Sequence, residues 1–96
     1  MKTIRPEQLG GKTVIDSEAQ IMGDVCGVEF NVSGWKVTHV CVNLSDKAVE
    51  ALGYKKPRFL GKVLVDIPVE LIKAVSDVVS LDKTIKEIKS AVETRR

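Results

Sequence analysis

The sequence predicts one small, mainly β domain, and three observations lead to this interpretation. The chain has 96 residues, which is enough for a single hydrophobic core. Hydrophobic residues make up 44% of the chain and charged residues 29%, a balance typical of globular proteins and unlike that of disordered chains. Residues 23–44 form two runs rich in β-branched and aromatic residues around a polar turn, which is the pattern of a β-hairpin.

The start of the chain divides into a leader and a first strand. Residues 1–10 are a polar leader, and the domain proper is predicted over residues 11–81. Residues 12–16 (KTVID) predict a short strand that stops at the polar turn formed by residues 16–18.

In the hairpin, Gly34 is expected to supply a positive φ in the turn. If the turn centres on Ser33 and Gly34, then Phe30 lies opposite Val37, and Cys26 lies opposite Cys41. This register places eight mostly apolar side chains on one face, which we expect to form a wall of the core: Cys26, Val28, Phe30, Val32, Trp35, Val37, His39 and Cys41.

The other face of the second hairpin strand carries Val40 and Val42. A strand that is apolar on both sides needs a cover, and either the terminal helix or a second copy of the chain is expected to provide it. These two valines are therefore candidate interaction residues in a symmetric homodimer.

A short helix and a further strand follow the hairpin. Ser45 is placed as an N-cap and Gly53 where left-handed helix ends are usual, so a helix is predicted near residues 46–52. Residues 62–68 (KVLVDIP) alternate in hydrophobicity and predict a strand that ends at Pro68.

Residues 69–81 are ambiguous on local grounds. Pro68 could open a helix, but two short strands that meet near Ser76 and Asp77 fit equally well.

The last segment, residues 82–96, predicts an amphipathic helix packed on the domain. Its apolar stripe has helical spacing, and Thr84 with Glu87 has the spacing of a capping box. The stripe consists of Leu81, Ile85, Ile88 and Val92.

Catalytic and metal-binding chemistry find little support in the sequence. The single histidine, His39, shares a predicted face with Cys26 and Cys41, so a Cys-His dyad or a three-ligand metal site is conceivable. A fourth ligand is missing, and we interpret the two cysteines as reduced core residues. Four carboxylates fall mostly in turns, and nothing in their spacing pairs them for general acid–base catalysis: Asp16, Glu18, Asp66 and Glu70. No enzyme, cofactor or metal is predicted.

The loop at residues 54–62 (YKKPRFLGK) is the main candidate interaction segment. Tyr54 and Phe59 flank Pro57, and exposed aromatic residues with a nearby Arg58 are frequent anchors of protein interfaces. The alternative is a site for RNA or for a ribosomal particle, because cations interleaved with rings suit single-stranded nucleic acid. The formal net charge of only +2 favours the protein partner.

The absence of a long apolar run or of a signal-peptide pattern leads us to expect a cytoplasmic protein.

Four motifs resemble the PRC-barrel family in its short archaeal stand-alone form. They are G-K-x-V-x-D at residues 11–16, G-x-V-x-x-V-x-F at 23–30, V-T-H at 37–39, and V-x-I-P-x-x-x-I-x-x-V at 65–75. The similarity covers roughly residues 10–81. It implies a small, strongly bent β-barrel of about six strands, with strands rather than a helix over residues 69–81.

The resemblance also implies a docking function, because relatives bind other proteins. The barrel occurs in the reaction-centre H subunit and in a ribosome maturation factor. Stand-alone archaeal members are linked to cell division as partners of SepF. We therefore expect a non-catalytic adaptor with a protein partner, for which a SepF-like division protein is one candidate.

Overall fold

A mixed β-sheet forms the framework of the protein. The computed structural model describes residues 3–54 and 62–94. Six strands make up the sheet, and a short seventh strand adds at one end. The strands are β1 (Thr13–Ile15), β2 (Ile21–Asn31), β3 (Lys36–Leu44), β4 (Leu64–Pro68), β5 (Ile72–Val75), β6 (Val78–Leu81) and β7 (Glu93–Thr94).

The strand order is β5-β6-β1-β2-β3-β4-β7. All neighbouring pairs are antiparallel except β1 and β6, which are parallel with Thr13 beside Val78. The prediction of a mainly β domain is confirmed. Within the described residues, hydrogen bonds do not close the sheet between β5 and β7.

The ambiguous stretch after Pro68 forms strands. A 3₁₀ turn at Val69–Leu71 leads into β5, and the β5–β6 hairpin reverses at Ser76 and Asp77. Ser76 N–H donates to the Val78 carbonyl across this turn. The two-strand interpretation is thus confirmed, and the helix that Pro68 could have opened is limited to one 3₁₀ turn.

In the described part of the chain, three short helices flank the sheet: α1 (Pro6–Leu9), α2 (Asp46–Ala51) and α3 (Ile85–Ile88). The Ser45 side chain accepts a hydrogen bond from Ala48 N–H, so the predicted N-cap of α2 is confirmed. Gly53 ends this helix with a φ of +78°, a conformation that glycine adopts at little cost. α1 lies in the predicted leader, where Leu9 is buried in the core.

The C-terminal segment is less helical than the sequence predicts. α3 has a single turn and continues as a 3₁₀ turn at Lys89–Ala91, and the backbone then pairs with β4 as β7. Ile85 and Ile88 are buried as expected. The predicted helix over 82–96 was wrong in length, because the backbone of Glu93 and Thr94 is extended and pairs with β4 instead of continuing the helix.

The core lies inside a bend of the sheet. Side chains from both halves of the strand order line one small apolar gap, which is possible only if the sheet curves strongly. The residues around it are Val14, Val40, Val42, Ile67, Ile72, Val79 and Leu81.

Val40 and Val42 are therefore core residues, with 3% and 1% of their surface exposed. The prediction that they form an outer face was wrong. The hairpin register shifts twice, between Val25 and Gly27 and between Glu29 and Phe30. The first β-bulge adds one residue to β2 at Cys26 and the second adds one to β3 at Thr38, and each changes which side chains face the core.

A buried carboxylate ties the first turn of the sheet to the C-terminal helix. Asp16 Oδ1 accepts hydrogen bonds from the backbone N–H groups of Glu18 and Gln20, and its Oδ2 accepts one from Ile85 N–H at 3.1 Å. The sequence placed this carboxylate in a turn and did not predict the contact with Ile85.

No helix in the described part of the chain has the length and apolar character needed to cross a membrane.

Candidate docking surface at the hairpin tip

The β2–β3 hairpin extends beyond the strands on either side of it. β1 pairs with β2 only as far as Asp24, and β4 pairs with β3 only from His39 to Asn43. Residues 29–38, here called the hairpin tip, therefore have no strand beside them among the described residues. The molecule has extents of 41 × 28 × 23 Å.

The hairpin tip carries a cluster of exposed apolar side chains. Phe30 and Val37 are cross-strand partners, as the predicted register requires, and Val32 and Trp35 lie in the turn directly beyond them. We call these four residues the tip cluster. Their exposed fractions are 47% for Phe30, 68% for Val32, 78% for Trp35 and 37% for Val37.

The sequence placed these four residues in a core wall, and this prediction was wrong. Their hydrophobicity does favour burial, but the hairpin extends beyond the neighbouring strands, and no element of residues 3–54 and 62–94 covers them. Within the hairpin, the core is lined instead by residues nearer its base, among them Met22, Val25, Val40, Val42 and Leu44.

The turn holds Trp35 in an unusual backbone conformation. Asn31 Oδ1 accepts a hydrogen bond from Ser33 N–H at 3.0 Å, which fixes the start of the turn. The positive φ falls on Trp35, at +53°, and not on Gly34 as predicted. A left-handed conformation costs a side chain with a Cβ about 1–2 kcal/mol, so an exposed tryptophan is held in place at the expense of stability.

His39 and Glu29 face each other at the base of the hairpin tip. The His39 Nδ1 lies 3.5 Å from Glu29 Oε1 and 2.9 Å from Thr38 Oγ1. The imidazole is partly covered, whereas about half of the glutamate side chain is exposed. The arrangement can form an ion pair across the two strands when the imidazole is protonated.

The two cysteines form a disulfide between β2 and β3. Cys26 occupies the first β-bulge and is exposed, whereas Cys41 is buried. The expectation of two reduced core thiols was wrong. A thiol dyad or a thiolate metal site with His39 is not formed in this state, because both sulfur atoms are bonded to each other.

The predicted register already contained the signal for this bond, since it placed Cys26 opposite Cys41. The chain has only two cysteines, far fewer than a disulfide-rich secreted domain, and this low content favoured reduced thiols. Among the described residues, no group of three or more His, Cys, Asp or Glu side chains is arranged to hold a metal ion.

The loop predicted as an interaction segment is only partly described. Tyr54 packs partly buried against the core, and Lys62 is exposed. Arg58 and Phe59, together with Lys55 and Lys56, lie outside the described residues. The structure thus gives Tyr54 a packing role, and the interaction role of Arg58 and Phe59 stays a prediction.

No protein-family model matches the chain, and a search of curated proteins finds no significant relative.

Proposed function

We propose that this chain is a non-catalytic protein-interaction module that docks a partner protein through the tip cluster. The observation that carries this proposal is Trp35, which is 78% exposed and has a φ of +53°. Residues kept in costly conformations without a packing role are concentrated at functional sites, and tryptophan is among the commonest binding hot spots.

The size of the tip cluster indicates the shape of the partner. Taking about 150–250 Å² for a whole large side chain, the four residues expose roughly 450 Å² together. Two copies meeting tip to tip would then bury about 900 Å², slightly less than the roughly 1,000 Å² expected of a specific interface. A partner with a groove that surrounds the hairpin tip would bury both of its faces, and we favour this arrangement.

The homodimer that the sequence suggested therefore needs surface beyond the tip cluster. Sedimentation equilibrium at micromolar concentration tests it: a mass of two chains supports a homodimer, and a mass of one chain contradicts it.

The PRC-type barrel belongs to the same proposal. In its support, β1–β6 follow the order of elements that the resemblance implies, and the sheet bends around a common core. A SepF-like division protein is the candidate partner on this basis.

A cytoplasmic location is also part of the proposal. The disulfide argues against a reducing cytosol, because such bonds are uncommon there outside hyperthermophiles.

The test first identifies a partner protein and then measures its affinity for the purified chain. The purified chain is used to capture proteins from nuclease-treated lysate of the source organism, and a SepF-like protein is tested directly. Each captured protein is then purified, and its Kd for the chain is measured by calorimetry.

Two variants decide the outcome. Trp35→Gly removes the hot spot and is expected to raise Kd about 30-fold or more, corresponding to about 2 kcal/mol. The same change relieves the positive φ, so its stability should not fall. Ile21→Ser, at an apolar residue that is 59% exposed outside the hairpin tip, is the matched control and should leave Kd unchanged.

Unchanged affinity in Trp35→Gly would contradict the tip as the docking surface. Loss of all capture after nuclease treatment would favour the RNA-binding alternative at residues 54–62, for which affinity should fall steeply with salt.

A further inference from the structure

A groove at the opposite end of the strand order from β7 offers a second surface. It has a volume of about 520 Å³ and is open to solvent. One side is β5 with the following Ser76, and the other is formed by residues from the N-terminal segment and by Lys12. We call it the β5 groove.

β5 is the terminal strand of the sheet in the described part of the chain. An edge strand directs alternate N–H and C=O groups away from its neighbour, and these groups can pair with an added strand. Two of the groups here are already used: Ile72 N–H donates to the Val69 carbonyl, and the Ser76 carbonyl accepts from Lys12 Nζ at 2.6 Å. The edge of β5 between Ile72 and Ser76 is therefore the part to which an extended chain can be added as a further strand.

The side chains that line the β5 groove favour an acidic and partly apolar ligand. Ile4, Ile72 and Val75 provide an apolar surface, whereas Lys12 and Lys73 provide positive charge. No aspartate or glutamate is present among the described residues that line it. By contrast, the groove beside α2 contains Asp46 as well as Lys47, so it has no preference for one sign of charge.

A second copy of this chain is a poor occupant of the β5 groove. Two β5 strands paired edge to edge around a twofold axis would bring Lys73 of each copy close to the other, and like charges across a strand pair are destabilising. The charge pattern instead complements a segment in which carboxylates alternate with apolar residues, since successive side chains of an added strand point to opposite sides.

We propose that the β5 groove binds an extended acidic segment of a partner protein by addition of a strand to the free edge of β5. The backbone of that segment pairs with β5, its apolar side chains contact Ile4 and Ile72, and its carboxylates lie near Lys12 and Lys73. This site is separate from the tip cluster, and the two together would let one chain connect two partner segments.

The test uses a defined probe. A fluorescein-labelled peptide of eight residues, with glutamate and valine in alternation and both ends blocked, is titrated with the full chain, and binding is followed by fluorescence anisotropy. Two further peptides serve as comparisons: one has lysine in place of glutamate, and the other is N-methylated at alternate residues, which removes backbone donors from one edge.

We expect the glutamate peptide to bind, and each comparison peptide to bind at least tenfold more weakly. Lys73→Glu should raise the Kd of the glutamate peptide at least tenfold. This lysine is exposed, so the substitution should not affect folding. The matched control is Lys86→Glu, at an exposed lysine on α3, which should change the Kd less than twofold. Amide signals of residues 72–75 should shift in NMR spectra when the glutamate peptide is added.

Three results would overturn the proposal. They are the absence of binding by the glutamate peptide, an equal effect of Lys73→Glu and Lys86→Glu, and equal affinity of the N-methylated peptide. Self-association of the chain that the peptide displaces would assign the β5 groove to a second copy. Trp35→Gly should leave peptide binding unchanged, so failure here is distinguishable from failure of the docking function of the tip cluster.

Discussion

At the scale of single residues, small differences in the backbone decide which side chains can be accommodated. Gly23 lies buried in β2 where β2 crosses close to β3. A Cβ at this position would collide with the backbone oxygen of Asn43. Gly27 lies in the same strand, and a Cβ there would meet no atom within 4 Å. The two glycines are thus alike in sequence and different in the space around them.

Gly23→Ala is expected to destabilise the protein by about 3 kcal/mol or more, because backbone atoms of two paired strands would have to separate. The free energy of unfolding in urea measures this effect. Gly27→Ala is the control and should change stability by less than about 1 kcal/mol. Equal losses in the two variants would show that glycine is needed for flexibility in β2 and not for the close approach to Asn43.

At the scale of elements, the predictions from sequence succeeded where a local pattern determines the structure. The N-cap at Ser45, the capping box at Thr84 and the β4 strand ending at Pro68 all depend on residues within a few positions of one another. Each is present as predicted. Local hydrogen-bond donors and acceptors suffice for such features, because the competing conformations lack those partners.

The hairpin shows why the candidate site could not be predicted in the same way. Its existence and the Phe30–Val37 pair follow from residue type, but the β-bulges at Cys26 and beside Glu29 depend on how the sheet curves over its core. The lengths of β1 and β4, and not the hairpin sequence, leave the tip cluster exposed. No local signal within residues 29–38 contains that information.

The capping box of α3 predicts a pH dependence. The backbone N–H of Thr84 donates to Glu87 Oε1 at 3.0 Å, and hydrogen bonds from the Thr84 backbone and side chain hold the pKa of this carboxyl below its ordinary value. A lowered pKa in the folded state stabilises the protein at pH values above the ordinary glutamate pKa of about 4.3, and this contribution disappears as pH falls through the lowered value.

Glu87→Ala should therefore lower the melting temperature at pH 7, and the difference from the unsubstituted protein should shrink toward pH 3. Thermal unfolding followed by circular dichroism over this range provides the measurement. A difference that stays constant from pH 7 to pH 3 would exclude the charged hydrogen bond as its source.

The disulfide across the hairpin is expected to contribute substantially to stability. Cys26 and Cys41 are 15 residues apart in sequence, and a cross-link of this span restricts the unfolded chain by about 3 kcal/mol in the loop-entropy description. Cys26→Ser should lose stability of this order, since serine at an exposed site adds no burial penalty and the Cys41 thiol remains a small apolar group.

Denaturant unfolding with and without a reductant completes this test. Under reducing conditions the unsubstituted protein and Cys26→Ser should become nearly equal in stability. Two thiols that react with a thiol reagent in the folded, unreduced protein would contradict the cross-link.

At the scale of the whole molecule, Asp16 connects segments from both ends of the domain. Its carboxylate accepts bonds from the β1–β2 turn and from the first residue of α3, and the side chain is almost fully buried. An unsatisfied buried donor costs about 1–3 kcal/mol. This carboxylate, which the sequence places in a turn, thus adds to the burial of Ile85 and Ile88 in holding α3 on the sheet.

Asp16→Asn is expected to destabilise the protein by about 1–3 kcal/mol, because the amide NH₂ would replace the oxygen that accepts from Ile85 N–H. Native-state hydrogen exchange should show faster exchange of the Ile85 amide in particular. Asp24→Asn, at an exposed aspartate of β2, is the control. Unchanged exchange at Ile85 would show that its N–H has another acceptor.

The parallel pairing of β1 with β6 has a consequence for the time at which the protein can fold. Thr13 acquires its second neighbour only when Val78 is available, so during synthesis one edge of β1 stays unpaired until most of the domain has left the ribosome. Pairings between residues so distant in sequence slow folding, and open edges are where nascent chains associate wrongly. Refolding on a timescale of milliseconds to seconds, measured by stopped-flow fluorescence of Trp35, would agree with this order of events, whereas microsecond folding would not.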